Sequence, residues 1–309
     1  MESISQTLDF EAFTFEKIII KLDMEVDNEL FKSKLKVILK EVVRVCEKNN
    51  LRYFMCGGTC LGAVRHGDII PWDDDIDVFL LRPDYEKFLK IASKELKTPF
   101  ELVNYNTHKG YTCAFAKVVD FSTTLIQHRY PFFAMGLYVD IFPLDGVNNN
   151  KVMDMLHYAF HKAIHYLFMP IESYRVDNGC SFAVKCGYYV KRLLSPLRNT
   201  MFELRESILR RRTIDDKKYV RSYNSQWGLR HTALRKDFDD FIMMPFGDMK
   251  VRVPIGYDDY LTHLYKDYMK LPPKEKQVTH HHFAYLDMNR RLSEEEIEKI
   301  RVSINGEYA

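Results

Sequence analysis

The sequence has 309 residues, of which 46% are hydrophobic and 28% charged, and its net charge is +2. This composition is typical of a globular protein and excludes an intrinsically disordered chain. No window approaches the roughly 20 apolar residues of a membrane-spanning helix, and the first apolar cluster, at residues 18–20, is too short for a signal peptide. The six cysteines have no CxxC pair or zinc-like spacing, which predicts reduced thiols in a cytoplasmic protein.

Helices and strands alternate in the first half of the predicted fold. Apolar residues at helical spacing predict an amphipathic helix over residues 28–49, followed by a strand at 52–56 and a short helix at 59–66. A strand is predicted at 76–81, and Pro83 starts a second amphipathic helix. The strand-like runs that follow are residues 100–105, 111–119, 123–128 and 137–142.

The character of the sequence changes after residue 146. Helical periodicity dominates from about 151 to 212, and a mixed tail contains a predicted strand at 250–253 and a helix near 257–266. The sequence therefore predicts an N-terminal extension (1–27), a compact α/β core (28–146) and a mainly helical region (147–309) that closes over the core.

Basic residues concentrate in the second half of the chain. Between residues 180 and 236, fourteen Lys/Arg stand against four Asp/Glu, and they alternate with bulky apolar residues. This pattern favours a basic amphipathic helix on an anionic membrane surface. A long surface helix with a solvated face is the alternative.

The segment 72–77, Trp-Asp-Asp-Asp-Ile-Asp, carries carboxylates on alternate residues. In an extended strand the side chains of Asp75 and Asp77 leave the same face. Two close carboxylates are costly unless a cation lies between them, and a hard divalent metal that holds phosphates is the usual cation. A solvated loop is one alternative. A calcium loop is another, although Val78 stands where such a loop needs glycine.

A glycine pair precedes this segment, between a predicted strand and a predicted helix. At such a junction the backbone amides near Gly57, Gly58 and Thr59 can approach a phosphate, and the helix dipole favours the phosphate charge. A simple turn is the alternative. Arg65, at the end of the helix, is a candidate phosphate contact, with a solvated surface charge as its alternative.

Three further residues are candidates for the same site. Asp140, between two apolar residues of a predicted strand, is expected to supply a third carboxylate, with a capping or loop-bonding role as the alternative. Lys117 is a lone cation in an apolar strand, so it needs a site carboxylate or a phosphate unless it faces water from an edge strand. Within the triple histidine 280–282, we expect His280 to contact phosphate or act as an acid.

These segments together resemble a known family. Residues 57–66, Gly-Gly-Thr-Cys-Leu-Gly-Ala-Val-Arg-His, and residues 70–77, Ile-Pro-Trp-Asp-Asp-Asp-Ile-Asp, are similar to the LicD family of phosphocholine transferases. Fukutin-type proteins are more distant relatives. The similarity continues at residues 82–85, 139–145, 245–246 and 265–273.

The resemblance implies an α+β fold with a nucleotidyltransferase-like mixed sheet and flanking helices. It implies transfer of phosphocholine, or a related phosphoalcohol, from CDP-choline or a similar CDP-alcohol. The acceptor would be a hydroxyl of a cell-envelope glycan or its lipid-linked precursor, and CMP would be released. Mg²⁺ or Mn²⁺ on Asp75 and Asp77 would neutralise the diphosphate, while Arg65 and Lys117 would hold phosphates. Asp140 would complete the metal site or accept the proton of the acceptor.

Other functions stay open on the sequence alone. The same Asp-x-Asp pattern occurs in glycosyltransferases with a nucleotide-sugar donor and in true nucleotidyltransferases that release diphosphate. A third alternative is a non-catalytic, membrane-associated scaffold that uses the basic helical half. We expect a cytoplasmic enzyme, peripheral at the inner face of the cell membrane, with no nucleic-acid partner.

Overall fold

The computed structural model describes residues 28–127, 129–130, 133–168, 171–172, 181–225, 227–279 and 283–306. The predicted N-terminal extension (1–27) and His280 therefore lie outside the described residues. Within these ranges, no helix combines the length and the apolar character needed to cross a bilayer.

Helices alternate with strands up to residue 103, three further strands follow up to residue 146, and helices dominate residues 151–210. The first, α1 (Asn28–Lys48), has the predicted apolar spacing, and its residues Leu35, Ile38 and Leu39 are buried. The chain leaves this helix through Asn50, whose φ of 54° is left-handed. The other helices are α2 (Gly57–Arg65), α3 (Arg82–Glu95), α4 (Lys151–Phe168), α5 (Phe182–Leu194), α6 (Arg198–Arg210), α7 (Tyr257–Tyr265) and α8 (Glu294–Gly306).

Most strands belong to one mixed sheet. The strands are β1 (Tyr53–Met55), β2 (Asp77–Leu81), β3 (Phe100–Val103), β4 (Ala116–Gln127), β5 (Arg129–Tyr130), β6 (Ala134–Gly146), β7 (Ile171–Glu172), β8 (Tyr219–Arg221), β9 (Thr232–Leu234), β10 (Phe241–Phe246), β11 (Met249–Pro254) and β12 (Phe283–Asp287). In the main sheet the order is β1-β2-β6-β4-β12, with β3 also on β4, and with β8 linking β6 to β9. Strands β2 and β6 are parallel, and the other neighbours are antiparallel.

The expected mixed sheet with flanking helices is confirmed, with two differences in detail. The predicted runs 111–119 and 123–128 are replaced by the single strand β4, whose pairing with β6 shifts register between Asp120 and Leu125. Gly136 permits this irregularity, because a Cβ there would lie 1.8 Å from the carbonyl oxygen of Asp120. In addition, β12 pairs with β4 from more than 150 residues away along the chain, a contact that no local pattern predicts.

A buried ion-pair cluster attaches the helical region to the sheet. The guanidinium of Arg82, at the start of α3, donates to both carboxylate oxygens of Asp145 at 2.6 and 2.8 Å and to Glu206 of α6 at 2.7 Å. All three side chains are buried, so breaking the cluster from one side would leave an uncompensated charge inside the protein. The helices after residue 146 are therefore fixed to the carboxyl ends of the two parallel strands.

Candidate active site

Three charged side chains lie in a row across the middle of the sheet. Asp77, the first residue of β2, is in register with Asp140 of the parallel strand β6. Asp140 is in turn opposite Lys117 of β4. Directly opposed residues on neighbouring strands project from the same face, so the sheet brings these three predicted site residues together.

Lys117 forms a buried ion pair with Asp140. Only 3% of Lys117 is exposed, and its ammonium nitrogen lies 3.5 Å from the ring centre of Tyr138. The alternative that Lys117 faces water from an edge strand is wrong, because β4 lies between β6 and β12. The expectation that this cation needs an anion is met by a carboxylate of the candidate site itself.

The glycine pair lies directly against two of the carboxylates. Gly57 has a φ of 52°, and a Cβ there would be 3.9 Å from Oδ2 of Asp77. A Cβ on Gly58 would lie 2.6 Å from Oδ2 of Asp73, closer than a side-chain carbon can approach. The turn into α2 therefore needs glycine both for its left-handed backbone and for the approach of the carboxylates.

The aspartates before β2 form a second part of the same site. Asp73, Asp74 and Asp75 can each offer a carboxylate oxygen such that all three atoms lie within 4.8 Å of one another. The expectation that Asp75 and Asp77 share one strand is wrong, because β2 begins at Asp77 and Asp75 lies in the extended segment before it. Asp73 and Asp74 were not among the predicted metal ligands, yet their carboxylate oxygens lie close enough to that of Asp75 for the three to hold one ion.

The electrostatics of Asp77 favour a cation at this site. Burial raises the pKa of Asp77 well above its usual range, and the nearby charges of Asp75, Asp140 and Asp73 raise it further, while Lys117 opposes the shift. A site built from carboxylate oxygens is what a hard divalent ion such as Mg²⁺ or Mn²⁺ prefers. The residues present therefore fit the expected metal.

Backbone contacts fix the relative position of the helix and the strand. The hydroxyl of Thr59 accepts a hydrogen bond from the backbone amide of Asp77 at 2.8 Å. The amide of Cys56 donates to the carbonyl of Asp77 at 3.2 Å. Thr59 thus aligns the start of β2 with the first turn of α2, and its predicted role towards a phosphate stays a prediction.

A buried hydrogen-bond chain that sequence reasoning missed holds the glycine turn. The amide of Gly57 donates to the hydroxyl of Tyr260 at 3.0 Å, and this hydroxyl lies 2.7 Å from Nε2 of His231. Nδ1 of His231 lies 2.6 Å from the hydroxyl of Ser225. Burial lowers the pKa of His231 to about 3, so the ring is neutral near pH 7. A neutral imidazole has one N–H donor and one acceptor nitrogen, so His231 links the hydroxyls of Tyr260 and Ser225 through both ring nitrogens.

Tyr265 also faces the site and was not predicted as a site residue. A Cβ on Gly57 would lie 3.8 Å from the Tyr265 hydroxyl. Burial raises the pKa of Tyr265, and the charges of Asp73 and Asp77 add to this effect, so the hydroxyl stays protonated and can donate. The only signal in the sequence was its position in the motif at 265–273.

Arg65 lies at the last turn of α2 and binds a neighbouring loop. Its guanidinium donates to the carbonyls of Tyr268 at 2.7 Å and Lys270 at 3.4 Å. Arg65 therefore anchors the loop after α7 next to the glycine helix. Its predicted contact with a phosphate stays a prediction.

Comparisons with known proteins agree with the motifs. Residues 50–176 match the family described as LicD/FKTN/FKRP, nucleotidyltransferase domain. The chain is 29% identical over 244 residues to the lipopolysaccharide cholinephosphotransferase LicD of Haemophilus influenzae, which covers 77% of this chain and 89% of that protein. It is 48% identical over 50 residues to the human ribitol 5-phosphate transferase FKRP, which covers 16% of this chain and 10% of that protein.

A second human protein shows a weaker similarity of the same kind. The ribitol-5-phosphate transferase FKTN is 27% identical over 79 residues, or 26% of this chain and 17% of that protein. The resemblance to the LicD family is thereby confirmed. All the candidate residues from Gly57 to Asp140 lie within the matched segment, whereas His231, Tyr260 and Tyr265 lie beyond it.

Proposed function

Because residues 50–176 of this chain match the LicD/FKTN/FKRP domain, we propose that it is a metal-dependent phosphoalcohol transferase. The donor is a CDP-alcohol, with CDP-choline as the first candidate, and the acceptor is a hydroxyl of a cell-envelope glycan or its lipid-linked precursor. The observation that carries the proposal is the approach of Asp73 and Asp77 to the glycine pair at the start of α2. The Gly57 amide is bonded to Tyr260, so the amides of Gly58 and Thr59 would be the ones to face a diphosphate, next to carboxylates that would hold the metal ion.

The proposed reaction exchanges one phosphorus–oxygen bond for another. The acceptor oxygen attacks the phosphorus of the phosphoalcohol, the bond to the phosphate of CMP breaks, and CMP leaves with the electron pair. The proton of the attacking hydroxyl goes to a site carboxylate. A bound Mg²⁺ or Mn²⁺ would neutralise the diphosphate and the charge that develops on the leaving group.

The residues of the chain have separate tasks in this proposal. Asp73, Asp75 and Asp77 would hold the metal ion, because their carboxylates surround the glycine turn and the segment before β2. Asp140 lies next to Asp77 across the sheet but is already paired with Lys117. From this position its carboxylate would complete the metal site or receive the acceptor proton.

Cellular location forms part of the proposal. The five cysteines among the described residues are free thiols, which suits the reducing cytoplasm. CDP-alcohols and lipid-linked glycans would meet at the inner face of the cell membrane. We therefore place the reaction there, with the protein peripheral to the membrane.

Release of CMP is the direct test. The full chain is incubated with CDP-choline, CDP-ethanolamine, CDP-ribitol or CDP-glycerol, a glycan acceptor and MgCl₂, and nucleotides are separated by chromatography. We expect CMP from one donor, with loss of its release in EDTA and in the variant Asp75→Asn/Asp77→Asn. Asp216→Asn is the control, since this exposed carboxylate pairs only locally with Lys217 and Thr213.

The leaving group separates the proposal from its alternatives. A nucleoside diphosphate released from a nucleotide sugar would identify a glycosyltransferase, and pyrophosphate would identify a nucleotidyltransferase. CMP release that persists in the double asparagine variant would contradict the assigned metal ligands. Full function of that variant in cells, together with inert donors, would instead support a non-catalytic scaffold.

A further inference from the structure

Helix α5 turns its apolar side away from the protein. Phe182, Cys186, Tyr189 and Leu193 follow the spacing i, i+4, i+7 and i+11, so they form one stripe along the helix. Phe182 is 82% exposed and Leu193 is 80% exposed. A surface helix ordinarily turns such a stripe towards the core, whereas no residue of α5 is buried.

The opposite side of α5 makes the contacts with the rest of the protein. Tyr188, Lys191 and Leu194 are partly buried, and Leu194 packs against the main hydrophobic core. Because these residues lie across the helix from the stripe, the helix cannot simply rotate to bury the apolar side without exposing its present contacts. The outward direction of the stripe is therefore set by how the helix is attached.

Helix α4, which packs against α5, has an outward face of the same kind. Its buried side consists of Asp154, His161, Ile164 and Phe168. Apart from Lys151 at its start, its exposed residues are uncharged and apolar, and they include Val152 at 69% exposure, Met155, Leu156 and Tyr166. We call the exposed apolar residues of both helices the α4–α5 surface.

The charges around α5 are of one sign. The sequence has no Asp or Glu from residue 178 to residue 202, while Lys185, Lys191, Arg192 and Arg198 lie within that stretch. Lys185 and Arg192, seven residues apart, border one edge of the stripe. An apolar stripe bordered by cations is the pattern of a helix that lies in the interface of an anionic bilayer.

We propose that the α4–α5 surface docks onto an anionic membrane, with α5 lying parallel to the bilayer plane. Helix α5 has 13 residues and is about 20 Å long, which is too short to span a bilayer but sufficient to lie in its interface. A second copy of the chain fits less well, because a twofold contact would bring the cations beside the stripe against their own copies. The inference rests on the proposed function in one respect, which is that docking would bring the transferase to a lipid-linked acceptor.

Vesicle flotation tests the surface independently of catalysis. The full chain is mixed with vesicles of phosphatidylglycerol and phosphatidylcholine in equal parts, or of phosphatidylcholine alone. We expect flotation with the anionic vesicles, and about tenfold weaker partitioning for Phe182→Ser/Leu193→Ser, since two large apolar side chains are removed from the interface. Lys185→Glu/Arg192→Glu is expected to weaken binding mainly at low salt. Val302→Ser, an exposed apolar residue of α8, is the control and is expected to float like the wild type.

A fluorescent probe reports insertion directly. Tyr189→Trp places an indole in the middle of the stripe, and we expect a blue shift on addition of anionic vesicles and quenching by brominated lipid. The proposal would be overturned if Phe182→Ser/Leu193→Ser partitioned onto anionic vesicles like the wild type. It would also be overturned if the wild type bound neutral and anionic vesicles equally. A third outcome against the proposal is that the serine substitutions convert a dimer to a monomer without changing flotation, because the surface would then join two copies of the chain.

Failure of this inference can be told apart from failure of the proposed function. The α4–α5 substitutions are expected to leave CMP release with a soluble glycan acceptor unchanged. If no donor yields CMP while flotation behaves as expected, the membrane surface stands and the assigned reaction is wrong. If CMP is released and the stripe variants float normally, the reaction stands and the docking surface is wrong.

Discussion

Removal of the Lys117 ammonium is expected to destabilise the protein severely, because it isolates a buried carboxylate. In Lys117→Met the unbranched apolar stem is kept, so little volume is lost. Asp140, of which 8% is exposed, would then have no counter-charge, and it would lie beside Asp77 across the sheet. Breaking a buried pair from one side costs about 3–5 kcal/mol. For a chain of this size that corresponds to a fall in Tm of roughly 5–8 °C.

The assay is urea unfolding of a double-mutant cycle in EDTA. Lys117→Met and Asp140→Asn are each expected to destabilise the protein, and the double variant is expected to lose far less than the sum of the two. Lys40→Met is the matched control, because Lys40 also forms an ion pair with an aspartate, Asp248 at 2.6 Å, but both side chains are exposed. We expect its unfolding midpoint to be unchanged.

Two results would refute this reasoning. A cost below about 1 kcal/mol for Lys117→Met would mean that water reaches Asp140 and solvates its charge. Full additivity of the two substitutions would mean that the pair does not interact in the folded protein. Repeating the cycle with MgCl₂ adds a second comparison, since a bound cation near Asp140 is expected to reduce the cost of Lys117→Met.

Three other substitutions test the site from different sides. Because burial raises the pKa of Asp77, the folded protein holds this proton more tightly than the unfolded chain does. The free energy of unfolding therefore falls as the pH rises from the usual pKa of an aspartate to the raised pKa of Asp77. Asp77→Asn is expected to reduce this pH dependence in urea unfolding without metal. The same variant is expected to abolish metal binding in calorimetry. Gly58→Ala is expected to displace the Asp73 carboxylate and weaken metal affinity, whereas Gly187→Ala, with nothing near its Cβ, is expected to stabilise the protein by up to about 1 kcal/mol. Tyr260→Phe leaves the amide of the glycine turn without its acceptor, and we expect a loss of about 1–3 kcal/mol in urea unfolding and a lower kcat in the CMP assay.

The candidate site residues could be predicted because they lie close together in the sequence, or because burying their charge without a partner would cost free energy. The glycine pair and the aspartate run lie within about twenty residues of each other, and a lone lysine in an apolar strand demands an anion wherever it is placed. The start of β2 could not be predicted, because it depends on pairing with β6, some sixty residues later. Strand β2 therefore begins one residue after the predicted start at residue 76, and Asp75 lies outside it.

Periodicity also has a limit that α5 illustrates. Alternating basic and apolar residues correctly indicate an amphipathic helix in this region. The pattern alone does not determine which side of that helix meets the protein. Only the partial burial of Tyr188, Lys191 and Leu194 shows that the stripe of Phe182 and Leu193 points outward.

The glycine turn depends on residues that the family-matched segment does not contain. The matched residues 50–176 supply Gly57 and the carboxylates, yet the acceptor for the buried Gly57 amide is Tyr260 of α7, whose hydroxyl is hydrogen-bonded to His231. A buried amide without an acceptor is costly, and a residue with a φ of 52° is held in place only by its surroundings. The region after residue 176 is therefore a structural part of the glycine turn, and Tyr260 and His231 act as positioning residues for the carboxylates beside it.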